Sequence, residues 1–196
     1  MNSLLVTYIL QTEKWTSPEL FETKNRIYTF LNPVSYLIAL ENKSLFEQFD
    51  GIFADGSLLV SAIRLVYGKR VTRRSFDMTS LAPELLNYLM ESRKTLYIVA
   101  SGQEQVECSV RIFQEQYPKL RIAGFRNGYF SSDAEMNKEA SHIVELNPDF
   151  LIVGMGALMQ EKFLLKVKKM GYQGIGFTCG GFVHQTAMNR MHYYPD

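Results

Sequence analysis

The sequence Phe53-Ala54-Asp55-Gly56-Ser57 joins a short run, residues 50–53, to a longer run, residues 58–67. The first run predicts a buried strand and the second a helix. Asp55 therefore follows the carboxyl end of a strand and precedes the amino end of a helix, which is where open α/β sheets bind ligands. Asp before Gly-Ser is also a favourable helix N-cap. Position alone therefore leaves both capping and chemistry open for Asp55.

The same alternation of strand and helix recurs on both sides of this stretch. The strands are apolar on both faces and the helices are amphipathic, which predicts a Rossmann-like α/β fold with a mostly parallel sheet and helices on both faces. Strands are predicted over residues 26–31, 95–100, 120–124, 149–153 and 174–178, and helices over 34–42, 77–92, 104–117, from about 132 to 144, and 160–170.

The composition indicates one globular domain over residues 1–196, with 46% hydrophobic and 21% charged residues. Residues 1–25 are predicted to be irregular, with a possible strand over 4–10 and a helix start at Ser17-Pro18-Glu19. Two distant cysteines favour a reduced, cytoplasmic setting. The net charge of +1 gives no overall field that would recruit nucleic acid. Four cations within residues 69–74 indicate either a solvated loop or an anion-binding loop.

Right-handed crossovers place the carboxyl ends of all parallel strands at one edge of the sheet. Glycine and small polar residues follow nearly every predicted strand, so this edge suits a ligand that carries phosphate. These residues are Asn32, Asp55, Gly56, Ser101, Gly102, Gly128, Tyr129, Gly154, Gly156, Gly180 and Gly181.

The generic motif nearest to a cofactor site is Gly154-Met155-Gly156-Ala157-Leu158-Met159. It differs from the dinucleotide fingerprint because Met replaces the third glycine and because it lies late in the chain. A nicotinamide-dependent oxidoreductase is therefore an alternative with weak support. The sequence contains no Asp-x-Asp pair of the kind that clamps a metal on a sugar nucleotide.

Four motifs in order resemble the WecG/TagA/CpsF glycosyltransferases (glycosyltransferase family 26) over residues 26–195. The motifs are Phe53-Ala54-Asp55-Gly56, Arg126-Asn127-Gly128-Tyr129-Phe130, the run from Pro148 to Lys162 that ends in Gln160-Glu161-Lys162, and Gly180-Gly181-Phe182. The resemblance implies an inverting, metal-independent transfer of a sugar, such as N-acetylmannosamine or another hexose, from a UDP-linked donor. The implied acceptor is a lipid-diphosphate-linked sugar at the cytoplasmic face of the membrane, and no cofactor is implied.

The resemblance also implies roles for individual residues. Asp55 falls on the general base, Arg70 on an arginine of an Arg-Val motif, and Gln160 on a glutamine at the site. Thr29, Asn32 and Glu161 fall among the substrate contacts, although Asn32 also suits a helix cap and Gln160 a solvated first turn. Compensation for the leaving diphosphate is expected from Arg70 or its neighbours and from N–H groups near residues 101–102 and 154–156.

Some positions depart from the family pattern and leave the donor and acceptor open. Leu158-Met159 replaces a usual Pro-Lys, Arg73 replaces a glycine, and His184 replaces an aspartate. Family members usually continue beyond the point where this chain ends, Met191-His192-Tyr193-Tyr194-Pro195-Asp196, so contact with the membrane is expected to need a C-terminal segment that this chain lacks. A homo-oligomer and a non-catalytic nucleotide-sugar sensor also remain open.

Overall fold

A computed structural model describes residues 4–189, and within that range six strands form one parallel sheet in the order β2-β1-β6-β5-β3-β4. The predicted fold class is therefore confirmed. The strands are β1 (Arg26–Leu31), β2 (Gly51–Ala54), β3 (Thr95–Ala100), β4 (Arg121–Arg126), β5 (Phe150–Gly154) and β6 (Ile175–Thr178).

Helices cover both faces of the sheet, as predicted. On one face lie α1 (Leu4–Thr12), α3 (Pro33–Glu41), α4 (Lys43–Phe46), α5 (Ser57–Tyr67), α8 (Asp133–Leu146) and α9 (Met159–Lys169). On the other lie α2 (Ser17–Glu22), α6 (Leu81–Ser92), α7 (Gln103–Gln116) and α10 (Phe182–Asn189). The helix after β5 and the helices after its neighbours β3 and β6 pack on opposite faces, so a crevice opens at the carboxyl ends of these strands.

The central strands are mostly apolar because both of their faces are buried. In β3, Leu96 and Ile98 belong to the core under α6 and α7, whereas Tyr97 and Val99 belong to the core under α8 and α9. Successive side chains of a strand point to opposite faces. This alternation explains why the strands were recognisable as continuous apolar runs.

The N-terminal prediction was wrong. Residues 4–10 form part of a helix, α1, which packs against β2, and residues 17–22 form α2, so the segment is not irregular. Leu5, Ile9 and Thr12 are buried at helical spacing, and the Thr12 hydroxyl donates to the carbonyl of Ile52 at 2.7 Å. Packing of this face onto β2 outweighs the strand propensity of its β-branched residues. The predicted helix start at Ser17-Pro18-Glu19 is confirmed.

The start of α6 differs from the prediction, and two helices were not predicted. Helix α6 begins at Leu81 instead of Asp77, because the Asp77 carboxylate holds a turn by accepting from the N–H of Thr79 at 2.7 Å. The short helix α4 and helix α10 were not predicted. Residues 191–196, which the sequence assigns to the C-terminal region, lie outside the described residues.

Candidate active site

A cavity of about 1200 Å³ opens at the carboxyl ends of the strands. Small-molecule pockets usually measure ~300–1,000 Å³, so this cavity is large enough for a nucleotide-sugar and part of a second substrate. Segments that follow each described strand line it. The predicted residues that line it are Asn32, Asp55, Gly56, Ser101, Gly128, Tyr129, Gly154, Gly156, Gln160, Gly180 and Gly181.

Two glycines on β5 and after it give the cavity its shape. A Cβ on Gly154 would lie 2.6 Å from the carbonyl oxygen of Gly180, so only glycine allows the two segments to approach this closely. Gly156 has a φ of 83°, a conformation that side chains disfavour. The Gly-x-Gly motif is therefore needed for the close approach of Gly154 to Gly180 and for the positive φ of Gly156.

Hydrogen bonds connect the segments at the carboxyl ends of β3, β4 and β5. The N–H of Ser101 donates to the Gly154 carbonyl at 3.0 Å, and the N–H of Gly128 donates to the Ser101 carbonyl at 2.8 Å. Ser101 adopts a φ of 56°, which is uncommon outside glycine. The N–H of Ser101 is thus engaged within the protein, contrary to the expectation that it faces a diphosphate.

Asp55 lies in the cavity at the start of α5, with its side chain about 33% exposed. Burial raises the pKa of its carboxyl above the ordinary value, and the nearby charge of Asp77 adds to this, while Arg73 and the N–H of Gly56 act in the opposite direction. The N-cap of α5 is Gly56, and no side chain of the described residues caps this helix. The capping explanation of Asp55 is therefore not supported.

The cation that faces Asp55 is Arg73. Its Nη2 atom lies 2.7 Å from Asp77 Oδ2 and 4.0 Å from Asp55 Oδ1, and its side chain lines the cavity. Arg70, which the sequence motif favoured, is exposed and does not line the cavity. Arg74 donates to the carbonyl of Trp15 at 2.8 Å and so supports the loop from outside the site.

Asp77 holds Arg73 in place and was not recognised from the sequence as a site residue. Its carboxylate accepts from the Ser75 hydroxyl at 2.7 Å and from the Thr79 hydroxyl at 2.6 Å as well as from Arg73. Burial alone would raise the pKa of Asp77, but these hydrogen bonds and the guanidinium lower it overall. Asp77 therefore stays ionised and orients Arg73. The sequence signal was Asp77-Met78-Thr79, an aspartate two residues before a threonine that can close a turn.

Gln160 is buried, so it is not the solvated first-turn residue of the alternative interpretation. Its amide oxygen accepts from the N–H of Gly180 at 3.1 Å, and its Nε2 donates to Glu161 at 2.9 Å. Glu161 is fully buried and also accepts from the Thr29 hydroxyl at 2.8 Å and from the N–H of Leu158 at 2.7 Å. This network fixes Gln160 at the cavity wall.

Several predicted contacts lie behind the wall of the cavity or outside it. Thr29 and Glu161 are buried behind Gln160, and Gly102 begins α7 without lining the cavity. Asn32 lines the cavity but also caps α3, because its Oδ1 accepts from the N–H groups of Val34 and Ser35. The cavity is also lined by residues that were not predicted to bind substrate, among them Arg73, Phe76, Asp77, Thr79 and His184.

Arg126 organises the loop that carries Gly128 and Tyr129. Its Nε donates to the carbonyl of Asn127 at 2.9 Å, and its Nη2 donates to the carbonyl of Tyr129 at 2.9 Å and to Glu135 at 3.1 Å. The Arg-Asn-Gly-Tyr-Phe motif therefore shapes this side of the cavity through Arg126.

Residues 4–189 contain no group of three or more His, Cys, Asp or Glu side chains able to hold a metal ion. In the same range, every helix is too short or too polar to cross a membrane.

Comparison with known proteins identifies the family. The Glycosyl transferase WecG/TagA/CpsF family matches residues 10–190. The chain belongs to this family. Its membership settles the enzyme class as glycosyltransferase and leaves the nicotinamide-dependent alternative without support.

Relatives of this WecG/TagA/CpsF member transfer different sugars. It is 33% identical over 169 residues to the UDP-Gal:alpha-D-GlcNAc-diphosphoundecaprenol beta-1,4-galactosyltransferase of Shigella boydii, covering 86% of this chain and 70% of the relative. It is 23% identical over 185 residues to the N-acetylglucosaminyldiphosphoundecaprenol N-acetyl-beta-D-mannosaminyltransferase of Bacillus subtilis (strain 168), covering 92% and 69%. Both relatives are named for an acceptor that is a sugar on diphosphoundecaprenol.

Proposed function

We propose that this glycosyltransferase transfers a hexose from a UDP-sugar to a lipid-diphosphate-linked sugar, with inversion and without a metal ion. The observation that carries the proposal is the placement of Asp55 in the cavity beside Arg73. A carboxyl with a raised pKa is suited to accept a proton, and the neighbouring guanidinium is suited to bind a diphosphate.

In the proposed reaction, a hydroxyl of the acceptor sugar attacks the anomeric carbon of the donor as the bond from that carbon to the UDP oxygen breaks. Asp55 takes the hydroxyl proton. The leaving UDP carries an additional negative charge, which Arg73 and the amino end of α5 stabilise. Asp77 serves as a positioning residue, because it holds the guanidinium next to Asp55.

Gln160 also lines the cavity. Its position is fixed by Gly180 and Glu161, so it presents a pre-oriented amide to the cavity. Fixed polar groups stabilise developing charge better than mobile ones because they need no reorganisation during the reaction.

UDP-galactose is the proposed donor. Identity to the galactosyltransferase is 33%, against 23% to the N-acetylmannosaminyltransferase of Bacillus subtilis. The sequence-based expectation is a UDP-linked hexose, and the higher identity to the galactosyltransferase specifies galactose among the hexoses.

The test is a donor screen with a short-chain GlcNAc-diphosphate lipid, with and without EDTA. We expect transfer from UDP-galactose at the same rate in both conditions and a β-linked product by NMR. An α-linked product would refute inversion, and loss of activity with EDTA followed by recovery with a divalent metal would refute metal independence. Calorimetric titration of UDP, with NAD as the control ligand, separates a wrong donor from a site that binds no uridine nucleotide.

A further inference from the structure

Helices α3 and α5 carry an unusual share of the exposed apolar side chains of the protein. Of the twelve large hydrophobic residues that are exposed within residues 4–189, five lie on these two helices, and they are between 63% and 87% exposed. They are Val34, Leu37, Leu58, Leu65 and Val66, and we call them the α3–α5 surface.

The exposed apolar residues of α5 form one continuous stripe. Leu58, Ala62, Leu65 and Val66 are exposed at the spacing i, i+4, i+7 and i+8, while Leu59 and Ile63 bury the opposite side of the helix in the core. A surface helix of a soluble protein normally has polar residues on its outer side. Helix α5 therefore exposes an apolar stripe beside the exposed polar residues Ser57, Ser61 and Arg64.

The exposed charged side chains of α5 and of the loop that follows it are all positive. Residues 56–76 contain five cations, Arg64, Lys69, Arg70, Arg73 and Arg74, and no acidic residue. Arg64, Lys69 and Arg70 are exposed. An apolar stripe bordered by Lys and Arg is the pattern of helices that lie in the interface of a membrane containing anionic lipid.

The α3–α5 surface begins at the mouth of the cavity. Asn32 and Ser57 line the cavity, and the exposed side chains of Val34 and Leu58 follow them by two residues and one residue. A substrate that reaches the cavity from a bilayer in contact with this surface would not need to leave the membrane.

We propose that the α3–α5 surface docks this enzyme on an anionic lipid bilayer and presents the cavity to a lipid-linked acceptor. The inference deepens the proposed function and rests on it for the acceptor, while docking itself is independent of catalysis. The sequence-based expectation assigns membrane contact to a C-terminal segment, and this proposal adds a contact formed by the described residues.

The test is sedimentation of the 196-residue chain with vesicles of phosphatidylcholine alone or mixed with phosphatidylglycerol. We expect binding to the anionic vesicles and at least a tenfold loss of binding for Leu58→Gln/Leu65→Gln. The control, Leu146→Gln/Met170→Gln, replaces exposed apolar residues outside the α3–α5 surface and should bind like the original chain. Arg64→Gln/Lys69→Gln should lose binding to anionic vesicles by about fivefold for each charge removed.

Calorimetric titration of UDP and thermal unfolding show whether each variant is folded, independently of any transferase activity. Equal vesicle binding by Leu58→Gln/Leu65→Gln and the original chain would overturn the proposal. A dimer of the original chain that this variant converts to monomer, with vesicle binding unchanged, would assign the surface to a second copy instead.

Discussion

Replacing Arg73 by Gln tests whether this residue is the cation of the site. The guanidinium of Arg73 lowers the pKa of Asp55, opposing the effects of burial and of Asp77. Its removal should therefore raise the pKa of Asp55 further. Because Asp55 must be ionised to accept a proton, the acid limb of the pH–rate profile should move to higher pH.

The distance and exposure of the pair set the size of this shift. Two unit charges 4.0 Å apart interact by about 1 kcal/mol in water and about 4 kcal/mol near a protein surface. Each side chain is about a third exposed, and exposed pairs measure ~0.2–1 kcal/mol, so we adopt about 1 kcal/mol. This corresponds to a shift of about 0.7 pH unit. Loss of a charged hydrogen bond to the diphosphate, worth about 1.5–3 kcal/mol, should also lower kcat/KM at the plateau by about 10- to 150-fold.

The assay is kcat/KM against pH with UDP-galactose and a short-chain acceptor, since this parameter reports the pKa of the free enzyme. Arg70→Gln is the matched control, because it removes an arginine of the same loop that does not line the cavity, and its acid limb should stay in place. A limb that stays fixed or moves to lower pH in Arg73→Gln would refute the assignment. If the acid limb shifted in Arg70→Gln and not in Arg73→Gln, the cation of the site would be Arg70, as the sequence motif predicts.

Two further substitutions test the base and the buried network. Asp55→Asn should lower turnover by about 10²–10⁴-fold. The fold and the UDP affinity measured by calorimetry should not change, because the N-cap of α5 is Gly56 and so remains in place. Unchanged turnover would exclude Asp55 as the base. Glu161→Gln should lower the free energy of urea unfolding by about 1–3 kcal/mol, because an amide cannot accept all the bonds that the carboxylate accepts; exposed Glu107→Gln is the control. Burial raises the pKa of Glu161 in the folded state, so its contribution to stability is largest at acid pH and is lost as pH rises from its unfolded pKa through the folded one. A fall in stability over that window that persists in Glu161→Gln would contradict this assignment.

The sheet and most of the rim could be predicted because their residues leave local signals. β1 and β3 have the predicted bounds, since each is a run of apolar residues that ends at a polar or small one. Because the strands are parallel, the residues that follow them lie at one edge of the sheet, so strand positions alone are enough to predict this edge. The sequence therefore predicts that Asp55, Gly154 and Gly180 belong to one site.

The cation and the buried network could not be predicted because they depend on distant contacts. Residues 68–75 have no periodicity, and their path is set by hydrogen bonds such as that from the N–H of Arg74 to the carbonyl of Ala54 at 2.9 Å. Motif spacing in an irregular loop does not show which arginine reaches the site. Glu161 was expected to contact substrate, but a hydroxyl from β1, that of Thr29, binds it within the core.

Helix α5 links the two proposals physically. Asp55 directly precedes its first turn and the apolar stripe runs along its outer side, so one rigid element fixes the position of the base relative to the docked membrane. An acceptor whose diphosphate lies at the bilayer surface would then meet Asp55 at a constant depth. Such a helix contributes to rate by positioning, because holding the reacting groups in place lowers the entropic part of the barrier. The Leu58→Gln/Leu65→Gln variant should consequently lose more activity toward a long-chain acceptor in vesicles than toward a short-chain acceptor in solution, whereas Asp55→Asn should lose activity equally toward both.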